Sequence, residues 1–233
     1  MITFFAALPA ATGEYELGED AAHHATVRRI AAGEAVNVID GRGGRRTGTI
    51  ASVSKKKLLV RIEKADQDPR PAEIHLFVPV ADKDRTLWLA EKAAELQATS
   101  WTPVMYQRSK SVSPRGEGEG FIEKVRSRMT GALEQSGGSW LPELRPMIEP
   151  DAMGTAGKQV GVVLDPAGDP LAGHSCLISG LSIAVGPEGG FEPAEITMLR
   201  DSGWRAASIG ATTLRFETAA IAALAIARAW LAR

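Results

Sequence analysis

The chain has one cysteine, two tyrosines and only 6% aromatic residues among its 233 positions. The lone thiol, Cys176, cannot close an internal disulfide, so the fold must rest on its core, as expected of a protein in a reducing cytoplasm. No histidine–asparagine signature surrounds Cys176, which reads as a small packing residue and not as a nucleophile. No apolar run approaches the roughly 18 residues of a membrane span, so no membrane partner is expected. The opening "MITFFAALPAATGEYELGED" has a short apolar run but no basic flank before it, which argues against an export signal. His23 and His24 have no carboxylate or cysteine at ligand spacing, so no metal site is expected. GxxxxGK[ST] and GxGxxG are both missing, and with them the usual cradles for phosphate.

Excess charge of either sign is missing overall, since the net is −1, but its distribution is uneven. Residues 21–64 carry ten Lys and Arg against three Asp and Glu, whereas residues 129–233 carry seven against eleven. A basic module joined to a mildly acidic one makes binding of an anionic polymer a local property of the first. Its candidates are Arg28, Arg29, Arg42, Arg45, Arg46, Lys55, Lys56 and Lys57.

The basic module reads as short strands and turns. "AVNVID" leads into the glycine- and arginine-rich turn "GRGGRRTG". In "KLLVRIE", Leu58, Val60 and Ile62 then alternate with Leu59, Arg61 and Glu63 at the period of a half-buried strand. The polar, two-proline stretch "EKADQDPRPAE" marks a boundary, giving domains 1–70 and 71–233. Beyond it the pattern is α/β. "EIHLFVPV" (73–80) reads as a strand buried on both faces, and Asp82 or Asp84 caps the helix "RTLWLAEKAAELQ". "TPVMYQRS" reads as the next strand and "FIEKVRSRMTGALEQS" as a second helix. "VGVVLD", "LSIAVG" and "AASIG" follow as strands. A helix begins at Pro193 and stops near Gly203, and the last, "RFETAAIAALAIARAWLAR", is apolar on almost every face. A terminal helix so apolar implies burial, in part against a partner subunit.

Ligands of open α/β sheets sit beyond the carboxyl ends of the strands, where this chain places "LDPAG", "VGPEGG" and "SIGATTLRFET". Glu188 at the centre of the second turn repels phosphate and suits hydroxyls, an amine or a positive centre. The residues alone reach a nucleoside-type ligand that is not a triphosphate.

"GPEGGF" (186–191) followed by "IGATTLRFETA" (209–219) resembles the paired signature of the ribosomal RNA small-subunit methyltransferase E family, of the SPOUT class. "HHATVRRIAAGE", "DRTLWLAEKAAELQATSWTPVMYQRS" and "EQSGGSWLPELRPM" resemble further family segments in the same order. The resemblance implies an N-terminal PUA-like RNA-binding β-barrel and a C-terminal α/β trefoil knot. It also implies a homodimer and an S-adenosyl-L-methionine-dependent enzyme that methylates N3 of a uridine in 16S ribosomal RNA of the small subunit. A non-catalytic RNA-binding protein, or a related enzyme acting on transfer RNA or ribose hydroxyls, is the alternative. The cofactor set so implied is Leu164, Asp165, Val185, Gly186, Pro187, Glu188, Gly189, Gly190, Ile209, Gly210, Thr213 and Leu214. Arg215 is expected near the uracil oxygens, with Glu217 or Glu188 as proton acceptor; alternatively Glu217 only favours its helix dipole and pairs with Arg215. Three positions depart from the family pattern: Thr212 stands where arginine is common, Gln97 where glycine is usual, and Gly138 where a basic or polar residue is common.

Overall fold

The structure is a computed structural model that describes residues 1–8, 12–154, 160–173 and 180–231; Cys176 lies outside them. The chain divides into two compact units, Met1–Arg70 with Thr130–Leu141, and Pro71–Met129 with Pro142–Arg233.

The first unit holds β1 (Ile2–Phe5), β2 (Gly13–Leu17), α1 (Glu19–Val27), β3 (Ala35–Ile39), β4 (Gly44–Val53) and β5 (Leu58–Gln67). The strands form one sheet in the order β1-β3-β4-β5-β2, antiparallel except for the β1/β3 pair. On β5 the alternation holds: Leu58, Val60 and Ile62 are buried and Arg61 and Glu63 are exposed. These side chains meet Phe4, Leu17, Val36, Val38 and Ile50 in a common core. The sequence pattern of strands and turns leaves out α1. That helix buries only Ala22 and Ala25 and starts at Gly18 with no side-chain cap, so neither a periodic apolar stripe nor a capping residue announces it.

The second unit begins with β6 (Glu73–Pro79), α2 (Lys83–Glu95), β7 (Ser100–Val104) and α3 (Glu119–Ser136), whose residues from Thr130 belong to the first unit. It continues with β8 (Glu143–Leu144), β9 (Val160–Pro170), β10 (Gly180–Ala184), α4 (Pro193–Asp201), β11 (Arg205–Ser208) and α5 (Phe216–Leu231). The sheet order is β11-β9-β10-β6-β7-β8, and every pairing is parallel. β7 and β10 are buried along their whole length, as strands covered on both faces must be. Asp82 is the N-cap of α2, its Oδ1 accepting from the N–H groups of Asp84 (3.1 Å) and Arg85 (3.0 Å).

The last helix packs against α2, β6 and β10. Its inner face, Ala220, Ala223, Leu224 and Ala227, is buried, while Ile221, Ile226, Trp230 and Leu231 are half-buried. Arg228 closes the other end of α2: its guanidinium donates to the carbonyls of Ala72 (3.1 Å), Leu96 (3.3 Å) and Gln97. Burial lowers its pKa below the ordinary arginine value.

Gln97, one residue past the C-cap of α2, has φ +56°. This is the left-handed position at which glycine usually ends a helix, and an L side chain there costs roughly 1–2 kcal/mol. Part of that cost is offset because glycine loses more backbone entropy on folding. Gln97→Gly is therefore expected to stabilise the chain by about 0.5–1 kcal/mol, read as a rise of about 1–4 °C in the thermal midpoint. A midpoint that stays or falls refutes the assignment of strain to this residue.

Candidate functional site

Three loops leave the carboxyl edge of the sheet side by side. The first interrupts β9: pairing with β11 passes from Val163↔Ala206 directly to Asp169↔Ala207, so Leu164–Gly168 loop out of register. The Asp165 carboxylate closes this excursion by accepting from the Ala167 N–H at 2.8 Å. The second loop is the Gly-Pro-Glu-Gly-Gly turn after β10, closed by a bond from the Gly190 N–H to the Pro187 carbonyl (2.8 Å). Gly190 has φ +73°, and a Cβ on Gly186 would lie 2.8 Å from the Phe191 ring. Backbone geometry thus requires the one glycine and ring packing the other. The Phe191 ring in turn meets buried Tyr106 edge-on, at 5.0 Å between centroids. The third loop joins β11 to α5 and carries residues 209–215.

Between the loops lies a cleft of about 520 Å³, within the range of small-molecule sites. Of the expected cofactor residues, Leu164, Asp165, Val185, Gly186, Pro187, Glu188, Gly190, Ile209, Gly210, Thr213 and Leu214 form its walls. Gly189 faces elsewhere: its carbonyl accepts from Arg108, which also donates from Nε to Glu192 at 2.8 Å. Thr212 and Arg215 are wall residues too. Arg215 is exposed and forms no ion pair among the described residues. Glu217 stands behind the walls in the first turn of α5, where a carboxylate favours the helix dipole.

The cation beside Glu217 is Arg85, with Nε 4.0 Å from the Glu217 Oε1 and a terminal nitrogen 4.0 Å from the Glu188 Oε1. Sequence reasoning missed Arg85. Its place three residues after the cap Asp82 fixes which turn of α2 it occupies, but no pattern signals that this turn borders the cleft. It missed Phe191 and Ile196 as wall residues for the same reason. The Glu217 side chain is only 6% exposed, and its Oε2 has no hydrogen-bond partner among the described residues.

Glu188 has a local explanation. Its Oε1 accepts from the backbone N–H of Asp82 at 3.2 Å. In a capping box the N-cap N–H is satisfied by a glutamate of the same helix; here a glutamate from a distant turn does this for α2. The second turn is thereby moored to a helix N-terminus, where a carboxylate is favourable.

In the first unit the eight basic candidates come from three segments. Arg42 precedes β4, Arg45 and Arg46 lie at its start and Lys55–Lys57 in the turn after its end, while Arg28 and Arg29 follow α1. Several have internal work. Arg45 binds the Asp68 carboxylate at 2.6 Å and the Gly137 carbonyl at 2.8 Å, and Arg46 donates to the Arg45 and Asp66 carbonyls. Lys57 pairs with Glu16 at 2.8 Å, and Lys56 lies 3.9 Å from Glu19. Arg28, Arg29, Arg42 and Lys55 are exposed. Arg45 and Ser139 hold the Asp68 carboxyl below its ordinary value of 3.8. Among the described residues no cluster of three His, Cys, Asp or Glu could hold a metal, and no helix is long and apolar enough to cross a membrane.

Comparison with known proteins gives two family matches. A family model described as an RNA methyltransferase domain matches residues 68–228, and one described as an RNA methyltransferase PUA domain matches residues 17–63. The chain is 27% identical over 237 residues to the ribosomal RNA small subunit methyltransferase E of Rickettsia conorii, covering 94% of this chain and 91% of that protein. The protein of the same name from Synechocystis is 27% identical over 212 residues, covering 85% and 67%. Among solved structures, the ribosomal RNA small subunit methyltransferase E of Neisseria gonorrhoeae, bound to S-adenosyl methionine, superposes with a TM-score of 0.87 at 25% identity, covering 97% and 95%. A Legionella pneumophila protein solved with S-adenosyl methionine gives 0.83 at 28% identity, covering 98% and 97%.

Two stability experiments follow from these contacts. Glu188→Gln keeps an acceptor for the Asp82 N–H and is expected to unfold within about 0.5 kcal/mol of the parent, whereas Glu188→Ala loses about 1 kcal/mol. Equal losses would show that the carboxylate charge, not the cap, holds the turn. For Asp68, whose folded pKa is depressed, the Arg45 pair stabilises above the unfolded pKa and loses its effect as the pH falls through the folded value. Arg45→Met is therefore expected to lower the midpoint of the first unit at pH 7 and to flatten its decline below about pH 4. An unchanged midpoint at pH 7 would free Arg45 for a purely external role.

Proposed function

The chain belongs to the RNA methyltransferase family, and from that premise we propose that it methylates N3 of a uridine in 16S ribosomal RNA of the small ribosomal subunit. It is an S-adenosyl-L-methionine-dependent enzyme, as its similarity to chains solved with that cofactor supports. The observation that carries the proposal is the convergence of three strand-end loops on a single cleft with mixed walls. Leu164, Val185, Ile209 and Leu214 offer apolar surface for an adenine ring. Asp165 offers an acceptor for a ribose hydroxyl or an ammonium.

When bound, the cofactor supplies a methyl group on a sulfonium, and much of the catalysis is then positioning. The uracil N3 must shed its proton to attack. Arg215, on the wall and without an ion pair among the described residues, is placed to stabilise the negative charge that develops on the uracil oxygens. Of the two carboxylates, Glu188 stands on the wall and Glu217 behind it, so the proton is accepted at Glu188. Glu217 acts through Arg85, which it helps to hold.

Residues 1–70 are assigned to RNA, with exposed Arg28, Arg29, Arg42 and Lys55 as the phosphate contacts. The half-buried apolar residues of α5 are assigned to the interface of a homodimer. The trefoil knot is assigned to the segment from β9 to α5, and the enzyme to the cytoplasm.

The deciding experiment incubates the chain and cofactor with small subunits lacking the modification, then maps methylated nucleosides by mass spectrometry. N3-methyluridine is the expected product; its absence, or methylation of a ribose or of transfer RNA instead, overturns the proposal. Arg215→Ala and Glu188→Gln should each lower turnover by about 100-fold. Since Glu188→Gln is expected to fold normally, wild-type turnover in that variant would remove Glu188 from proton transfer.

A further inference from the structure

A second cavity, of about 600 Å³, opens beside the cofactor cleft. Val78, Trp101, Phe121, Ile122, Leu144 and Met147 wall it. It lies along one face of the sheet, at Val78, Trp101, Pro103 and Leu144, and under the N-terminal half of α3. Trp101 is 1% exposed and Phe121 8%, so they form its floor, whereas Met147 is 52% exposed at its mouth.

Its rim charges are neutralised internally. Glu117 binds Arg115 at 2.8 Å, Glu123 lies 3.9 Å from Arg126, and Arg145 binds Glu143 at 3.0 Å. A phosphate would find no uncommitted arginine on this rim, and it would face Glu119 in the first turn of α3. The site therefore suits a neutral ligand with apolar faces and a polar edge.

The first turn of α2 separates this cavity from the cleft. Arg85 lines the cleft and the adjacent Thr86 lines the cavity. The same turn links them by hydrogen bonds. The Gly116 N–H, on the cavity rim, donates to the Ala81 carbonyl at 2.9 Å, and Arg115 bridges Asp82. The Thr86 hydroxyl donates to the Asp82 carbonyl at 2.7 Å, and the Asp82 N–H donates to Glu188 at 3.2 Å. An occupant pressing on Thr86 or Gly116 thus acts one residue away from the bond that moors the cofactor turn.

We propose that this cavity receives an unstacked nucleobase adjacent to the target uridine, and that its occupation steadies Asp82 and with it the cofactor turn. The inference rests on the RNA methyltransferase reading. RNA bases are recognised mainly when splayed from their neighbours, and a base seated in an apolar pocket gives affinity without a charged partner. A flanking base held on the far side of α2 keeps the strand unstacked at the position where the target must enter the cleft.

The test uses the full chain with 13C-methyl-labelled methionine, the Met147 signal being assigned through Met147→Leu. Adenosine, guanosine, cytidine and uridine are titrated in turn with the cofactor cleft saturated by S-adenosylmethionine. A saturable shift of the Met147 methyl with at least one nucleoside is expected. No shift, or a shift seen only without the cofactor, overturns the proposal. So does a response to an apolar peptide with none to nucleosides, which would make the cavity a protein-docking groove. In parallel, Met147→Glu should raise KM for small subunits about tenfold and lower cofactor affinity only when RNA is bound, leaving cofactor affinity without RNA unchanged. Unchanged KM overturns the assignment. A parent enzyme that binds cofactor but methylates no RNA would instead count against the function itself.

Discussion

The bond from the Asp82 N–H to the Glu188 carboxylate is the contact on which the organisation of the cleft turns. An exposed turn rich in glycine has little intrinsic preference for one conformation, and ordering it costs entropy that its own few bonds barely offset. Mooring its central residue to a helix N-terminus gives it a fixed reference. Because Asp82 also caps α2 through its side chain, the turn is tied to a helix whose start is itself well defined. The same carboxylate oxygen faces Arg85, so the orientation of the one cation on that wall follows from the same contact. A second brace comes from the opposite side. Arg108 holds Glu192 and the Gly189 carbonyl, and the Gln107 N–H donates to Glu195 at 2.9 Å. Glu195 completes the capping box of α4, so the turn runs between two capped helices.

Much of this was legible in the sequence, and what was legible depended on periodicity and punctuation. Three strands of the parallel sheet announce themselves by short apolar runs ending in glycine or aspartate, and the loops after all three bring wall residues to the cleft. The illegible parts share a cause: they depend on which distant segments meet. Nothing local to Arg85 shows that its turn of α2 lies against Glu188 and Glu217, which are more than a hundred residues away. The interruption of β9 was half visible. "VGVVLD" reads as a strand that stops, but its resumption at Asp169 after a loop closed by Asp165 is set by pairing with β11.

The basic residues of the first unit show a different limit. Ten cations against three acids in residues 21–64 suggest a surface for an anionic polymer. Counting charges does not separate cations facing solvent from those that fasten the fold. Asp68, just beyond the counted stretch, takes Arg45, and Glu16, before it, takes Lys57. Of the eight candidates, Arg28, Arg29, Arg42 and Lys55 make no ion pair among the described residues, and they lie on turns and a helix end, not on the strands.

The charge pattern of the cleft bears on the threonine at 212, where the family resemblance leads one to expect arginine. The cationic walls are Arg85 and Arg215, and they are not equivalent. Arg85 has carboxylate oxygens of Glu188 and Glu217 each at 4.0 Å, which offset part of its charge. Arg215 has no such commitment among the described residues. In the proposed reaction, charge developing on a uracil oxygen would then be stabilised from one side, by Arg215. An additional arginine at 212, also on the wall, would share that role. With Thr212 in its place the cleft keeps one cation without an ion pair among the described residues, and under the proposed mechanism transition-state stabilisation rests more heavily on Arg215 than it would with two.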